Sequence, residues 1–210
     1  MTIWDGKTAS FLGKAANCII LNIIWLFFSL PIITVGPATA AMYAVVRKWH
    51  LDQEQSVIRC FLHEFRSYFK QGIVIGTAWI FLGCLLAVDI VFFLNIPSNL
   101  RVVLLAIAVL VFVLYSMTSA FLFPVWVHYQ LKGFILIKQA FTFAFLDGKT
   151  NFAIMLMWVG AGSLLFYMPL IVFILIVPVT MITFRFSMFA FEKMDKMESV
   201  QIKYPLLKRS

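Results

Sequence analysis

Long apolar runs alternate with shorter polar segments along this chain. Residues 15–46 and 152–184 carry no charged side chain, and two further apolar runs lie between them. A helix of about 20 apolar residues is long enough to cross the hydrocarbon core of a bilayer. The pattern predicts five membrane-spanning helices, at residues 17–46, 71–94, 101–127, 151–167 and 170–190.

The first apolar run is about ten residues longer than one crossing needs. Its middle has the sequence Leu30-Pro31-Ile32-Ile33-Thr34-Val35-Gly36-Pro37. Two prolines and a glycine so close together interrupt a regular helix. We therefore predict a break at residues 31–37, after which a second helical piece extends from Pro37 to about Trp49, with Pro37 in its first turn.

Residues 38–40 are small and resemble the cleavage site of a signal peptide. The apolar core of a signal peptide is about 7–15 residues long, and the run that precedes these residues is longer. The next segment is also rich in Lys and Arg. We expect the chain to keep this part rather than lose it by cleavage.

The uncharged stretch 152–184 is long enough for more than one crossing, since each helical residue rises about 1.5 Å. Met168-Pro169 is the natural position for a break within it. The number of crossings depends on this break and on the first one, so four, five or six remain open. A re-entrant first segment would move only the N-terminus to the other side.

Two polar segments show helical periodicity and are predicted as amphipathic helices, at residues 52–70 and 131–146. Apolar side chains recur at three- and four-residue spacing in both, which is typical of a helix with one buried face. The first stripe consists of Val57, Ile58, Phe61, Leu62, Phe65, Tyr68 and Phe69, and the second of Phe134, Ile137, Phe141 and Phe145. Such helices lie on a membrane surface or against other helices.

Composition supports a membrane fold. Hydrophobic residues make up 63% of the 210 residues and charged residues 12%, whereas soluble domains have about 45–50% and 25%. The predicted fold class is an all-α, polytopic helical bundle in the lipid bilayer, forming a single domain over residues 1–210. It has about five transmembrane helices, two amphipathic helices at the inner surface, and a charged cytoplasmic tail at 192–210.

The distribution of positive charge predicts the orientation. The net charge is +8, and all of the 17 Lys and Arg side chains except Lys7, Lys14, Arg101 and Arg185 fall in segments on one side of the five-span arrangement. Membrane proteins keep such segments in the cytoplasm. We therefore predict a plasma-membrane protein with its N-terminus outside and its C-terminus inside, and we exclude a nucleic-acid partner.

No catalytic, metal or cofactor motif occurs in the chain. Cys18, Cys60 and Cys84 are widely separated and form no paired framework. The three histidines lack the spacing of metal ligands. The sequence therefore predicts no catalytic residues, no metal site, no cofactor and no enzymatic activity.

Six residues are candidates for a functional site. A broken helix leaves backbone groups that protein, water or a ligand must satisfy, and transporters use such breaks to bind substrates. The alternative is a plain kink closed by Thr34 and neighbouring helices. Charged side chains inside spans are also functional candidates, although a base near a helix end can extend to the interface instead. The six residues are Pro31, Thr34, Gly36, Pro37, Asp89 and Arg185.

Residues 22–43 have the sequence NIIWLFFSLPIITVGPATAAMY. This segment resembles the N-terminal motif of the YesL-like bacterial membrane proteins, in which an Asn and an apolar run precede Leu-Pro-x-x-Thr-x-Gly-Pro-Ala and Ala-x-Tyr. The later helix with Phe61, Phe65 and Phe69 before Lys70-Gln71 is also similar. The resemblance implies a plasma-membrane protein of unknown function with a link to carbohydrate uptake, and it implies no catalytic residues.

Two functional hypotheses follow. The first is an accessory or regulatory component linked to carbohydrate uptake, with a sugar-transporter permease as its protein partner. The alternative is a small transporter or channel whose site is the broken first helix together with Asp89. The sequence leaves the substrate and the oligomeric state open.

Overall fold

The computed structural model describes the backbone of residues 3–51, 56–95 and 100–203, and the side chains of 12–51, 56–95, 100–194 and 196. Those ranges contain seven α-helices and two short 3-10 turns, and no strand. The helices are α1 (Ile3–Ser29), α2 (Val35–His50), α3 (Val57–Leu94), α4 (Arg101–Tyr129), α5 (Gly133–Leu146), α6 (Gly148–Tyr167) and α7 (Val172–Lys203). The 3-10 turns, Ile32–Thr34 and Pro169–Ile171, precede α2 and α7.

Five stretches in the described ranges are helical, long and apolar enough to cross a membrane: Leu12–Ser29 in α1, the helices α3, α4 and α6, and Pro169–Met194. Large apolar side chains such as Phe81, Val88 and Phe92 point outward from them. An outward apolar surface of this extent fits contact with lipid. The predicted fold class, an all-α bundle with five long apolar helices, is confirmed, and these helices fit a multi-pass membrane protein.

Helix α2 forms the centre of the bundle. Its residues 40–46 are all buried, as are Gly36, Pro37 and Ala38, and it contacts α1, α3, α4 and α7. Up to Val46 this helix carries apolar residues on all sides, which is typical of a core helix. The structure has the predicted break at residues 31–37 and a second helical piece after it: α1 ends at Ser29, and α2 is a separate buried helix of 16 residues. Helix α1 begins at Ile3, earlier than the predicted start at residue 17.

Helix α3 is one continuous helix of 38 residues, where the sequence predicted an amphipathic helix ending at 70 and a separate span beginning at 71. A change from polar to apolar side chains leaves the backbone hydrogen bonds intact, so it does not end a helix. The two predicted elements meet near Gly72. Gly72 is buried against α2, and this packing stabilises α3 at that point. Residues 52–55 of the predicted element lie outside the described residues.

The buried face of α5 differs from the predicted face. Its fully buried residues are Leu136, Ala140, Phe143 and Ala144. Three members of the predicted stripe, Phe134, Phe141 and Phe145, are exposed. Apolar residues surround most of this helix, so periodicity alone cannot separate its protein-facing side from its outer side.

The last two long helices are separated at Met168, where the break was predicted. Helix α7 then continues to Lys203, although the sequence predicted a tail from residue 192. No glycine or proline occurs between Pro178 and Pro205, so nothing in the chain ends this helix when charged residues begin. The predicted tail beyond residue 203 lies outside the described residues.

Candidate functional site

The break between α1 and α2 is closed by the chain itself. The Thr34 hydroxyl lies 2.7 Å from the Phe28 carbonyl oxygen and 2.8 Å from that of Pro31. The backbone N–H of Thr34 also donates to the Pro31 carbonyl, at 2.9 Å. Carbonyl groups that the break frees from helical bonding therefore meet donors within the chain, as the closed-kink alternative expected.

Loss of the Thr34 hydroxyl is expected to destabilise the break. Thr34→Val keeps the shape of the side chain but removes the hydroxyl donor of the Phe28 carbonyl, at a cost of about 1–3 kcal/mol, while the Pro31 carbonyl keeps the Thr34 backbone N–H. Thr34→Ser retains the hydroxyl and serves as the control. Thermal melting of the detergent-solubilised protein measures the difference, and equal melting temperatures for the two variants would contradict it.

Three glycines bring α2 and α3 into backbone contact beside the break. A Cβ atom on Gly36 would overlap the Gly72 carbonyl oxygen and lie 2.8 Å from the Gly76 Cα. A Cβ on Gly72 would lie 2.7 Å from the Cα of Pro37. Close backbone contacts of this kind are typical of small residues at a membrane helix crossing, and here they bring α2 and α3 together beside the break.

The six candidate residues do not form one site. Pro31, Thr34, Gly36 and Pro37 lie together at the break, with Pro31 exposed and Gly36 and Pro37 buried. Asp89 is half-buried in α3, about 20 Å along the helix from Gly76. Arg185 is exposed on α7. No hydrogen bond or ion pair among the described residues joins Asp89 to Arg185, and the described residues contain no cluster of three or more His, Cys, Asp or Glu side chains.

A basic stripe on α3 is the feature that sequence reasoning missed. It consists of Arg59, His63, Arg66 and Lys70, and all four side chains are exposed. Arg59, His63 and Arg66 line a shallow groove together with Leu62 and Ser67. The four-, three- and four-residue spacing of the stripe falls within the predicted amphipathic helix 52–70, so the stripe could have been recognised from the sequence as one helix face.

Glu64 lies in the same part of α3 as the basic stripe, but its side chain points toward α2. The Lys48 ammonium on α2 donates to the Glu64 carboxylate at 2.8 Å, and both side chains are largely buried. This hydrogen bond, supported by the carboxylate charge, raises the pKa of Lys48 above its ordinary value. The pair ties the C-terminal end of α2 to α3.

The Lys48–Glu64 pair predicts a loss of stability at high pH. Because the pKa of Lys48 is raised on folding, its contribution is complete below the unfolded pKa of about 10.4 and is lost as pH rises through the higher folded value. The melting temperature of the wild-type protein should therefore exceed that of Glu64→Gln at pH 9, and the difference should shrink by pH ~11.5. Lys70→Met, which changes an exposed lysine, is the control. A constant difference across this range would refute the effect.

Comparison with known proteins shows which family the chain belongs to. The family described as "Protein of unknown function, DUF624" matches residues 18–90, which include the end of α1, the break, α2 and most of α3. The chain is also 30% identical to the uncharacterized protein YesV of Bacillus subtilis (strain 168) over 161 residues, covering 71% of this chain and 77% of that protein. The chain belongs to the DUF624 family.

Two further relatives place this DUF624 protein in the same group. It is 28% identical to the uncharacterized protein YteU of Bacillus subtilis (strain 168) over 156 residues, covering 72% of this chain and 69% of the relative. It is 27% identical to the uncharacterized protein YesL of the same strain over 190 residues, covering 84% and 85%. The predicted resemblance to the YesL-like proteins is confirmed. No solved structure matches the chain.

Proposed function

We propose that this DUF624 protein is a non-enzymatic accessory or regulatory subunit in the plasma membrane that assists carbohydrate uptake by docking to a sugar-transporter permease. The observation that carries the docking role is the contrast between the break and α3. Helix packing and Thr34 close the break, whereas the basic stripe of α3 is exposed. The carbohydrate link rests on what the YesL-like resemblance implies.

The proposed orientation has the N-terminus outside and the C-terminus in the cytoplasm. This orientation requires the basic segments to share one side of the membrane, and contacts between the polar ends of helices fit that requirement. The Gln71 amide donates to the Leu131 carbonyl at 3.0 Å, and Lys193 lies 3.6 Å from Asp147. These residues come from segments that the charge distribution assigns to the same side.

A small transporter or channel is the second candidate, and Asp89 is the observation that favours it. This carboxyl lies in the apolar part of α3, where an ionisable group is costly. Flux through liposomes that contain only this protein would support transport. If Asp89→Asn leaves that flux unchanged, the carboxyl is not part of the path.

A clean deletion strain tests the accessory role. We expect lower uptake of at least one radiolabelled sugar, restored by the wild-type gene, and recovery of the corresponding permease with the tagged protein from solubilised membranes. Unchanged uptake of every sugar tested would overturn the proposed link to carbohydrate uptake.

A further inference from the structure

The basic stripe of α3 presents its charges as one row. Arg59, His63, Arg66 and Lys70 follow the spacing at which residues lie above one another on a helix. From Arg59 to Lys70 the row is about 17 Å long. Its groove adds the Ser67 hydroxyl and the apolar side chain of Leu62.

Other described residues leave the charges of the row uncompensated. Among them, no acidic side chain forms an ion pair with Arg59, Arg66 or Lys70. The acid nearest in sequence, Glu64, is held by Lys48 on α2 at 2.8 Å. It also lies 3.6 Å from the His63 ring. Within the part of the chain that the structure describes, little acid lies near this row of exposed cations, and such a row attracts an anionic partner.

The length of α3 favours a protein over lipid as that partner. Exposed residues from Val74 to Leu94 are almost all apolar, so the hydrocarbon region would begin near Lys70. The headgroup layer adds only about 5–7 Å beyond the hydrocarbon. Arg59 lies about 17 Å farther along the helix than Lys70, and an ordinary tilt of about 20° changes this distance little. Lipid headgroups therefore reach Lys70 but not Arg59.

We propose that this stripe binds an acidic helical segment of a protein partner, whose carboxylates are spaced to meet Arg59, Arg66 and Lys70. Arginine forms paired hydrogen bonds with carboxylates, which adds geometric specificity to charge attraction. The inference rests on the docking role proposed above and names the chemistry of the partner's contact surface.

A defined peptide tests the proposal without the natural partner. The full chain is placed in phosphatidylcholine nanodiscs, and the probe is a fluorescein-labelled alanine-rich helical peptide with Glu at four-, three- and four-residue spacing. Its Gln counterpart is the neutral control. Fluorescence anisotropy is measured for the wild type, Arg59→Glu/Arg66→Glu, the milder Arg59→Gln/Arg66→Gln, and Lys138→Glu/Lys149→Glu. The last variant makes the same charge change at exposed lysines outside the stripe.

We expect the wild type to bind the Glu peptide about tenfold or more tightly than the Arg59→Glu/Arg66→Glu variant does, and the Gln-substituted variant to fall between them. Lys138→Glu/Lys149→Glu should stay within about twofold of the wild type, and binding should weaken as salt rises. Failure of the wild type to bind, or equal binding by the charge-reversed stripe, would overturn the proposal.

A second measurement tests the lipid alternative. Association of spin-labelled phosphatidylglycerol with the protein is compared with that of spin-labelled phosphatidylcholine. If headgroups occupy the whole stripe, the preference for phosphatidylglycerol falls in Arg59→Glu, whose site lies beyond the headgroup layer, and the protein partner is wrong. We expect the preference to be unchanged. Neither experiment depends on sugar uptake. The proposed role of the stripe can therefore be wrong while the deletion strain still shows reduced uptake, and the stripe can bind the peptide while uptake is unchanged.

Discussion

Gly36→Ala is expected to separate α2 from α3 and to remove most of the folded protein. The added Cβ would meet backbone atoms of Gly72 and Gly76, and backbone atoms cannot rotate away as the end of a side chain can. Overpacking costs about 1–3 kcal/mol and occasionally more, and a clash with backbone atoms belongs to the upper end of that range. Because α2 is the central helix of the bundle, its displacement should affect the packing of α1, α4 and α7 as well.

Gly160→Ala is the matched control for this substitution. Gly160 is also a glycine within a helix of the bundle, but a Cβ there would have nothing within 4 Å. Size-exclusion chromatography and thermal melting in detergent should show a stable Gly160→Ala protein and an aggregated or strongly destabilised Gly36→Ala protein. Similar behaviour of the two variants would mean that the close crossing of α2 and α3 is wrong.

Phe143→Ala is expected to destabilise the protein by about 4 kcal/mol, whereas Phe134→Ala should cost less than about 1 kcal/mol. Both residues are phenylalanines of α5. Phe143 is fully buried and packs against Phe191 and Phe121, while Phe134 is 78% exposed. Truncation of Phe143 therefore leaves a cavity, and truncation of Phe134 leaves none.

The comparison of these two phenylalanines decides which face of α5 the bundle buries. Thermal or denaturant unfolding in the same detergent gives the order of stability, and Phe145→Ala, another exposed site on α5, should behave like Phe134→Ala. A larger loss of stability for Phe134→Ala than for Phe143→Ala would mean that the buried face of α5 is the one predicted from the hydrophobic pattern.

Local backbone chemistry explains which elements the sequence predicts well. Proline and glycine act on the backbone within a few residues, so the breaks near Pro31 and at Met168 can be derived without tertiary information. The continuity of α3 through Gln71 could not, because a change in side-chain polarity does not interrupt backbone bonding. The buried face of α5 could not either, since lipid and protein cores both accept apolar side chains.

In the candidate site, too, local features could be predicted from the sequence and long-range contacts could not. Thr34 was correctly suggested as the residue that could close the break, since a hydroxyl near free carbonyls is a local feature. The contact of Gly36 with Gly72 and Gly76 joins two helices, and the partner of a glycine cannot be derived from its own surroundings. The engagement of Glu64 by Lys48 is likewise long-range, and it distinguishes Glu64 from the exposed cations beside it.

Thiol labelling tests most directly whether the polar end of α3 lies in the cytoplasm and outside lipid. Ser67→Cys and Leu85→Cys are each introduced into a protein whose three native cysteines have been replaced, and a membrane-impermeant maleimide is applied to protoplasts and to inside-out vesicles. Both sites are exposed on α3, Ser67 in its polar part and Leu85 in its apolar part. We expect labelling of Ser67→Cys in inside-out vesicles only, and of Leu85→Cys in neither. Labelling of Ser67→Cys in protoplasts, or in neither preparation, would contradict this placement of the basic stripe.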